Sequence, residues 1–351
     1  METLAGRPSS FASKLIGTAL TLTIATTFVS AADGDFKVVA HYRVSGSGKI
    51  QGIGIDSTAR RIYVAQGARV DLLNADTGAA AGQIATGAGA SDLILVPDIK
   101  RGFVANSGSN NIAVFDTDSC KVLRTVNSTG KAPSALTYDD GARLVFVANR
   151  DSGNITAFDP ETGRIAGTVE LGGKVGQLAA TGYGRLFVVA PNTNLVHVVD
   201  TETFKSLGDF PTGTGEDCTG LALDPVGRRV FVGCANGRIP ILDGDIGLAF
   251  EDLAGGGSGP STAMFTFLPT GKGGWKGAAF ITNADGTLTA VKMNAFVNYT
   301  IGAKSKLSSG IGPLALDTKT HHLLIAANGT RTPEVLVVSQ PTSSETKSEE
   351  E

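Results

Sequence analysis

A tetrapeptide recurs seven times along this chain, and that repeat constrains the fold more than any other feature. The copies are Tyr63-Val64-Ala65-Gln66, Phe103-Val104-Ala105-Asn106, Phe146-Val147-Ala148-Asn149 and Phe187-Val188-Val189-Ala190. They continue as Phe231-Val232-Gly233-Cys234, Phe280-Ile281-Thr282-Asn283 and Ile325-Ala326-Ala327-Asn328. Their first residues are spaced by 40, 43, 41, 44, 49 and 45 positions. A period of ~40–50 residues is that of a four-stranded propeller blade, because one such sheet cannot bury both faces alone.

The rest of each unit agrees. A short apolar strand precedes the tetrapeptide, as in Leu221-Ala222-Leu223-Asp224. An alternating strand and an Asp-rich turn follow it, as in Ile155-Thr156-Ala157-Phe158-Asp159, and then a fourth strand such as Arg164–Val169. Period-2 patterning and Asp/Gly/Pro turns mark strands rather than helices. The 46 glycines suit many tight turns and follow no collagen period. The reading is an all-β, seven-bladed propeller of four-stranded antiparallel blades over residues 36–340. The last blade lacks a fourth strand after Val335-Leu336-Val337-Val338. The segment Phe36 to Val44 has strand character and is expected to pair with that blade, closing the ring and covering an open sheet edge.

Residues 1–31 read as a secretory signal peptide. Arg7 and Lys14 supply positive charge, Leu15 to Val29 is mostly apolar or small, and Val29-Ser30-Ala31 offers a cleavage site after Ala31. The alternative is a retained anchor, for which the run is short and rich in threonine. Residues 341–351 read as a disordered acidic tail. A net charge of -3, from 30 basic and 33 acidic residues, gives no strong nucleic-acid signature. The expected location is periplasmic or secreted, with no membrane span after signal removal.

These tetrapeptides, with Gly67 to Gly78, Thr219 to Pro225, Asn283 to Thr289 and Leu314 to His321, resemble the bacterial YVTN-repeat β-propeller family, the YncE-like proteins. The resemblance covers about residues 36–340. It implies an exported seven-bladed ring and carries no shared catalytic motif. Gln51-Gly52-Ile53 stands where relatives often carry aromatic residues.

On a propeller, the first strand of each blade lines the central channel. Interblade linkers and second-to-third-strand turns form one face, here the top; the other turns form the bottom. The fourth tetrapeptide residue falls at the top, either as a polar ring for a ligand or as a bond to local backbone. Inner-strand starts also reach the top and differ from blade to blade. The ligand-binding candidates are therefore Gln51, Asp92, Lys131, Ser134, Gln177, Asp217 and Thr262, with Arg150 and Asn283 from neighbouring strand ends.

Of three cysteines, Cys218 begins an inner strand and Cys234 ends the strand paired with it, so a disulfide is expected between them. A two-thiolate metal site is the alternative. Cys120 falls in a bottom turn and is expected to be a free thiol. His321-His322 is placed in or beside a bottom turn. No zinc-protease, Cys-x-x-Cys, nucleophile-elbow or Walker pattern occurs. Asp116-Thr117-Asp118 and Asp243-Gly244-Asp245 do not continue into an EF-hand and are expected to cap turns. No catalytic residue, metal ligand or cofactor is assigned.

Three functions follow. The first is a binding or scaffold protein, monomeric, whose top face meets a protein, glycan or small molecule. The second is a propeller enzyme of lactonase or lyase type, with Asp92, Asp217 and Asn283 nearest to a top-face metal. The third is an envelope or surface-layer structural protein. The balance favours no enzyme activity, because the repeat is regular and no catalytic constellation stands out.

Overall fold

The computed structural model describes residues 36–259, 261–269, 275–295, 298–329 and 332–340. The segments read as signal and acidic tail lie outside the described residues. Seven four-stranded antiparallel sheets form the ring. Blade 1 spans 50–85, blade 2 90–127, blade 3 133–170, blade 4 178–211, blade 5 218–254 and blade 6 261–306. Blade 7 draws three strands from 311–339 and its outermost from Lys37–Arg43. One 3-10 turn, Pro97–Ile99, is the only helical element among the described residues.

The tetrapeptide forms the second strand of each blade and is buried on both sides. Phe103 and Ala105 pack against Val145, Val147 and Phe158 of blade 3, whereas Val104 packs against Tyr63 and Ala65 of blade 1. This explains why the repeat reads as a continuous apolar run instead of an alternation. Tyr63, Phe103, Phe146, Phe187, Phe231 and Phe280 are all fully buried. Each such side chain contributes roughly 1.5–3 kcal/mol of transfer free energy.

The N-terminal strand closes the ring as expected. Val38 pairs with Val338, His41 with Leu336 and Arg43 with Glu334. Three further ties hold this seam. Arg60 reaches Asp317 of blade 7 at 2.7 Å and Asp76 of its own blade at 2.8 Å. The Tyr42 hydroxyl donates to the Ala75 carbonyl at 3.1 Å. Asn328 clamps one residue of blade 1: the Ile50 N–H donates to Oδ1 at 2.8 Å, and Nδ2 donates to the Ile50 carbonyl at 2.9 Å. Gly78, at φ +70°, lies flat on the Tyr42 ring, so any side chain there would displace that tyrosine.

Most inner strands carry a feature the repeat does not reveal. Their register shifts at Ile50/Gly52, Ala90/Asp92, Pro133/Ala135, Cys218/Gly220 and Ile311/Leu314. A bulge inserts an unpaired residue and turns the strand. Here it sits at the top of the channel in five blades, at Gln51, Ser91, Ser134, Thr219 and Gly312-Pro313.

The channel and the top face as a candidate site

The fourth tetrapeptide residues meet backbone, not solvent, in the first three blades. Gln66 donates to the Ser45 carbonyl, Asn106 to Thr86 at 3.2 Å and Asn149 to Ser128 at 2.9 Å. Each acceptor lies in the linker entering that residue's own blade. All three side chains are buried. An N–H donor placed there satisfies a linker carbonyl that sheet pairing cannot reach. Asn283 is also buried, under the backbone of Gly257.

In blade 5 a disulfide occupies the same place. Cys218 and Cys234 are direct cross-strand partners and are joined, and both are buried. The linker covers them at Gly215, whose added Cβ would stand 2.5 Å from the Cys234 sulfur. Cys120 is a free thiol in a bottom turn, with the Arg61 guanidinium donating to its sulfur at 3.1 Å.

The channel wall is cross-linked by the two polar candidates that reach deepest. Asp92 Oδ1 accepts the Leu93 N–H and its Oδ2 accepts the Leu136 N–H of blade 3, both at 2.8 Å. Although the residue keeps some solvent contact, desolvation of the carboxyl lifts it to about 7 against the opposing pull of those two donors. Gln177 spans further. Its Oε1 accepts Leu221 N–H of blade 5 at 2.9 Å and Ala263 N–H of blade 6 at 3.1 Å, and its Nε2 donates to the Ala263 carbonyl at 3.0 Å. One amide thus ties blade 4 to blades 5 and 6 across the channel. It roofs a cavity of about 220 Å³ whose lining includes Leu178, Leu223, Pro225 and Met264.

The remaining candidates stay at the top rim. Gln51, Lys131, Arg150 and Asp217 are exposed, and Ser134 and Thr262 are partly buried on the inner strands. Arg150 pairs with its neighbour Asp151 at 3.1 Å. Asp217 holds a left-handed backbone, φ 46°, directly before the disulfide.

Two kinds of polar contact escaped the sequence. Ser91 donates to the Pro133 carbonyl of blade 3 at 2.6 Å, and Thr282 to the Gly312 carbonyl of blade 7 at 2.7 Å. The first stitches neighbouring inner strands and the second ties the second strand of blade 6 to the inner strand of blade 7, and nothing local marks either. His197 sits within 2.6 Å of Asp209 through Nδ1, while its buried Nε2 has no partner. The only signal was a polar residue inside the run Val196-His197-Val198-Val199.

Among the described residues no three His, Cys, Asp or Glu side chains come together as a metal site. The Asp-rich turns divide their carboxylates between backbone and arginine: Asp116 accepts the Ser119 N–H at 2.8 Å and Arg101 at 3.0 Å, and Asp243 accepts the Asp245 N–H and Arg229, both at 2.9 Å. His321 lies in the bottom turn of blade 7, its N–H bonded to the Asp317 carbonyl.

Residues 62–176, under half of the chain, match a family model described as "Lactonase, 7-bladed beta-propeller". The match supports a propeller family and does not single out the YVTN type. A search of curated proteins returns no match. Among solved structures 1742 chains match, which marks a widely shared architecture. One of them, titled "Structure of U3-55K", is 12% identical with a TM-score of 0.70, covering 86% of this chain and 98% of that one. At that identity the likeness concerns the fold alone.

Proposed function

We propose that this chain is an exported propeller that works by binding, presenting its top face to a protein, glycan or small-molecule partner as a monomer. The observation that carries the proposal is how the channel spends its polar groups. Both oxygens of Asp92 and both ends of Gln177 are committed to backbone, and all but Asp92 Oδ1 cross blade boundaries. That leaves Gln51, Lys131, Arg150 and Asp217 as exposed polar groups for a partner. The buried disulfide, in a chain without a described helix long and apolar enough to cross a membrane, is compatible with an extracellular or periplasmic location.

The second reading is a lactone-hydrolysing enzyme. The family description matched by residues 62–176 favours it. One experiment separates the two. The mature protein is assayed for hydrolysis of a lactone panel with and without Ca²⁺, Mg²⁺ and Zn²⁺, and its thermal midpoint is followed with the same compounds, sugars and peptides. Binding predicts a midpoint shift without turnover, reduced in Lys131→Ala or Arg150→Ala. Metal-dependent turnover lost in Asp217→Ala would replace binding with catalysis.

A further inference from the structure

Exposed large aliphatic and aromatic side chains among the described residues fall into two groups. Val39, Val122, Leu123 and Leu207 lie on outermost strands. The other four, Tyr183, Val226, Ile246 and Leu248, lie on the bottom turns of the adjacent blades 4 and 5. Val226 is 76% exposed, and Ile246 and Leu248 are each 66% exposed. Contacts join them into one patch. The Tyr183 hydroxyl reaches the Pro225 carbonyl at 3.5 Å, Arg228 lies over the Tyr183 ring, and Arg228 pairs at 2.8 Å with Asp245, the neighbour of Ile246.

The repeat shows that these residues are departures. In the third-to-fourth-strand turns of blades 1 to 4, Thr77, Ser119, Thr162 and Thr203 each return a hydroxyl to the Asn or Asp three residues earlier. Blade 5 puts Ile246 at that place. In the first-to-second-strand turns the matching residues are Thr58, Asp98, Gly141 and Lys319 in blades 1, 2, 3 and 7, against Tyr183 and Val226 in blades 4 and 5. Blade 5 thus gives up a hydrogen bond and exposes aliphatic surface, a choice that folding alone does not reward.

We propose that this patch seats the ring on a lipid surface, with the aliphatic turn tips inserted among the headgroups and acyl chains. Four partly exposed side chains fall well short of the ~800 Å² per partner of a specific protein interface. Four of the backbone donors at the tips are bonded within their own turns. The Val226 and Gly227 N–H groups bond to Asp224 Oδ1, that of Ile246 to Asp243 Oδ1, and that of Gly247 to the Asp243 carbonyl. Polar backbone entering lipid must be satisfied in this way. Asp245 enters neutralised, paired with Arg228 and lying 3.7 Å from Arg185. A tyrosine beside an arginine is the pairing favoured at headgroup depth. The sequence also places a mostly apolar run, Leu15 to Val29, within seven residues of Phe36, and the export proposed above would bring the chain to a membrane. Seating the bottom face on lipid leaves the top face outward, although neither assignment depends on the other.

The test uses the chain from Ala32, which holds every strand of the ring. Flotation with phosphatidylcholine vesicles, with and without phosphatidylglycerol, is compared for three proteins. These are the parent, Val226→Ser/Ile246→Thr/Leu248→Ser, and Val122→Ser/Leu123→Ser, which removes apolar surface from an outer strand instead. The parent and the outer-strand variant should float, and the triple variant should partition at least tenfold less while keeping the parent's thermal midpoint within a few degrees. A parent that stays with the soluble fraction, or a triple variant that floats equally, overturns the proposal; the first outcome would turn the patch into a protein contact.

Discussion

Blade 5 and blades 1 to 3 obey the same plan and part company at both ends. At the top, blades 1 to 3 hold the incoming linker with a buried amide, at Gln66, Asn106 and Asn149. Blade 5 has a disulfide in that position and a glycine over it. At the bottom, blades 1 to 3 end their outer turns in Thr77, Ser119 and Thr162, which bond back to the turn. Blade 5 ends its own in Ile246. A repeated residue serves the repeat; a departure from it must be explained by something outside the blade. The top departure has a structural explanation, since a covalent link replaces the amide. The bottom departure has none within the fold.

The largest effect should come from breaking the top of blade 5. The disulfide closes a sequence separation of 16 residues, which corresponds to about 3 kcal/mol in the chain-entropy account. Cys218→Ser/Cys234→Ser should lower the free energy of unfolding by about that amount, read from urea titration. Reduction of the parent should reproduce the loss, and the oxidised and reduced forms of the double variant should be indistinguishable. If the variant matches the parent, the bridge and the amide are not equivalent holds on the linker.

The amide end of the comparison breaks more gently. Asn149→Ala removes a buried donor from the Ser128 carbonyl, which keeps the Thr156 hydroxyl as a second donor. A cost of about 1–2 kcal/mol is expected. Asn149→Asp should cost more, because it places a carboxylate opposite that carbonyl without a counter-ion. Both are measured by the same titration.

Asp92 tests the channel wall between the two ends. Its carboxyl is raised to about 7 by burial, well above the ~3.9 of an unfolded chain. A raised folded value favours the protonated form, so its contribution is full below about pH 4 and is lost as pH climbs through 7. Relative to Asp92→Asn, the parent should lose ~4 kcal/mol between pH 4 and pH 8 at the limit of full burial, and on the order of 1–2 kcal/mol once the residue's partial solvent contact is allowed for. Parallel pH profiles for the two proteins would mean that solvent reaches the carboxyl and burial does not set its titration.

These effects also separate what the sequence made legible from what it hid. The ring was legible because each tetrapeptide is buried on both sides, which forces a run of Phe, Val and Ala at a fixed period. The disulfide was legible because Cys218 and Cys234 sit at opposite ends of two strands joined by one short turn. Closure was legible because the last blade lacked a strand and the first segment had one to spare. The channel was not. Gln177 finds its partners 44 and 86 residues away, and Asp92 bonds to a strand of the next blade. No local pattern encodes such contacts, because the inner strands meet only when the ring closes. Asp92 and Gln177 differ from their counterparts in other blades, which marks them as site candidates in the sequence, yet that same individuality lets them bridge unequal neighbours. Among the candidates, only the rim residues Gln51, Lys131, Arg150 and Asp217 kept both polarity and exposure.

The smallest effect carries the comparison furthest. Ile246→Thr restores in blade 5 the residue that blades 1, 3 and 4 use, giving Asp243 Oδ1 a hydroxyl in addition to the Ile246 N–H it accepts at 3.3 Å. An exposed hydrogen bond of this kind adds about 0.5 kcal/mol, and an aliphatic side chain leaves solvent. The variant should therefore be as stable as the parent or slightly more so by urea titration, and should bind vesicles less. A substitution that helps the fold and weakens an interaction identifies the native residue as kept for the interaction. If Ile246→Thr instead destabilises the ring, the isoleucine has a packing role in the turn, and the departure at the bottom of blade 5 becomes structural like the one at its top.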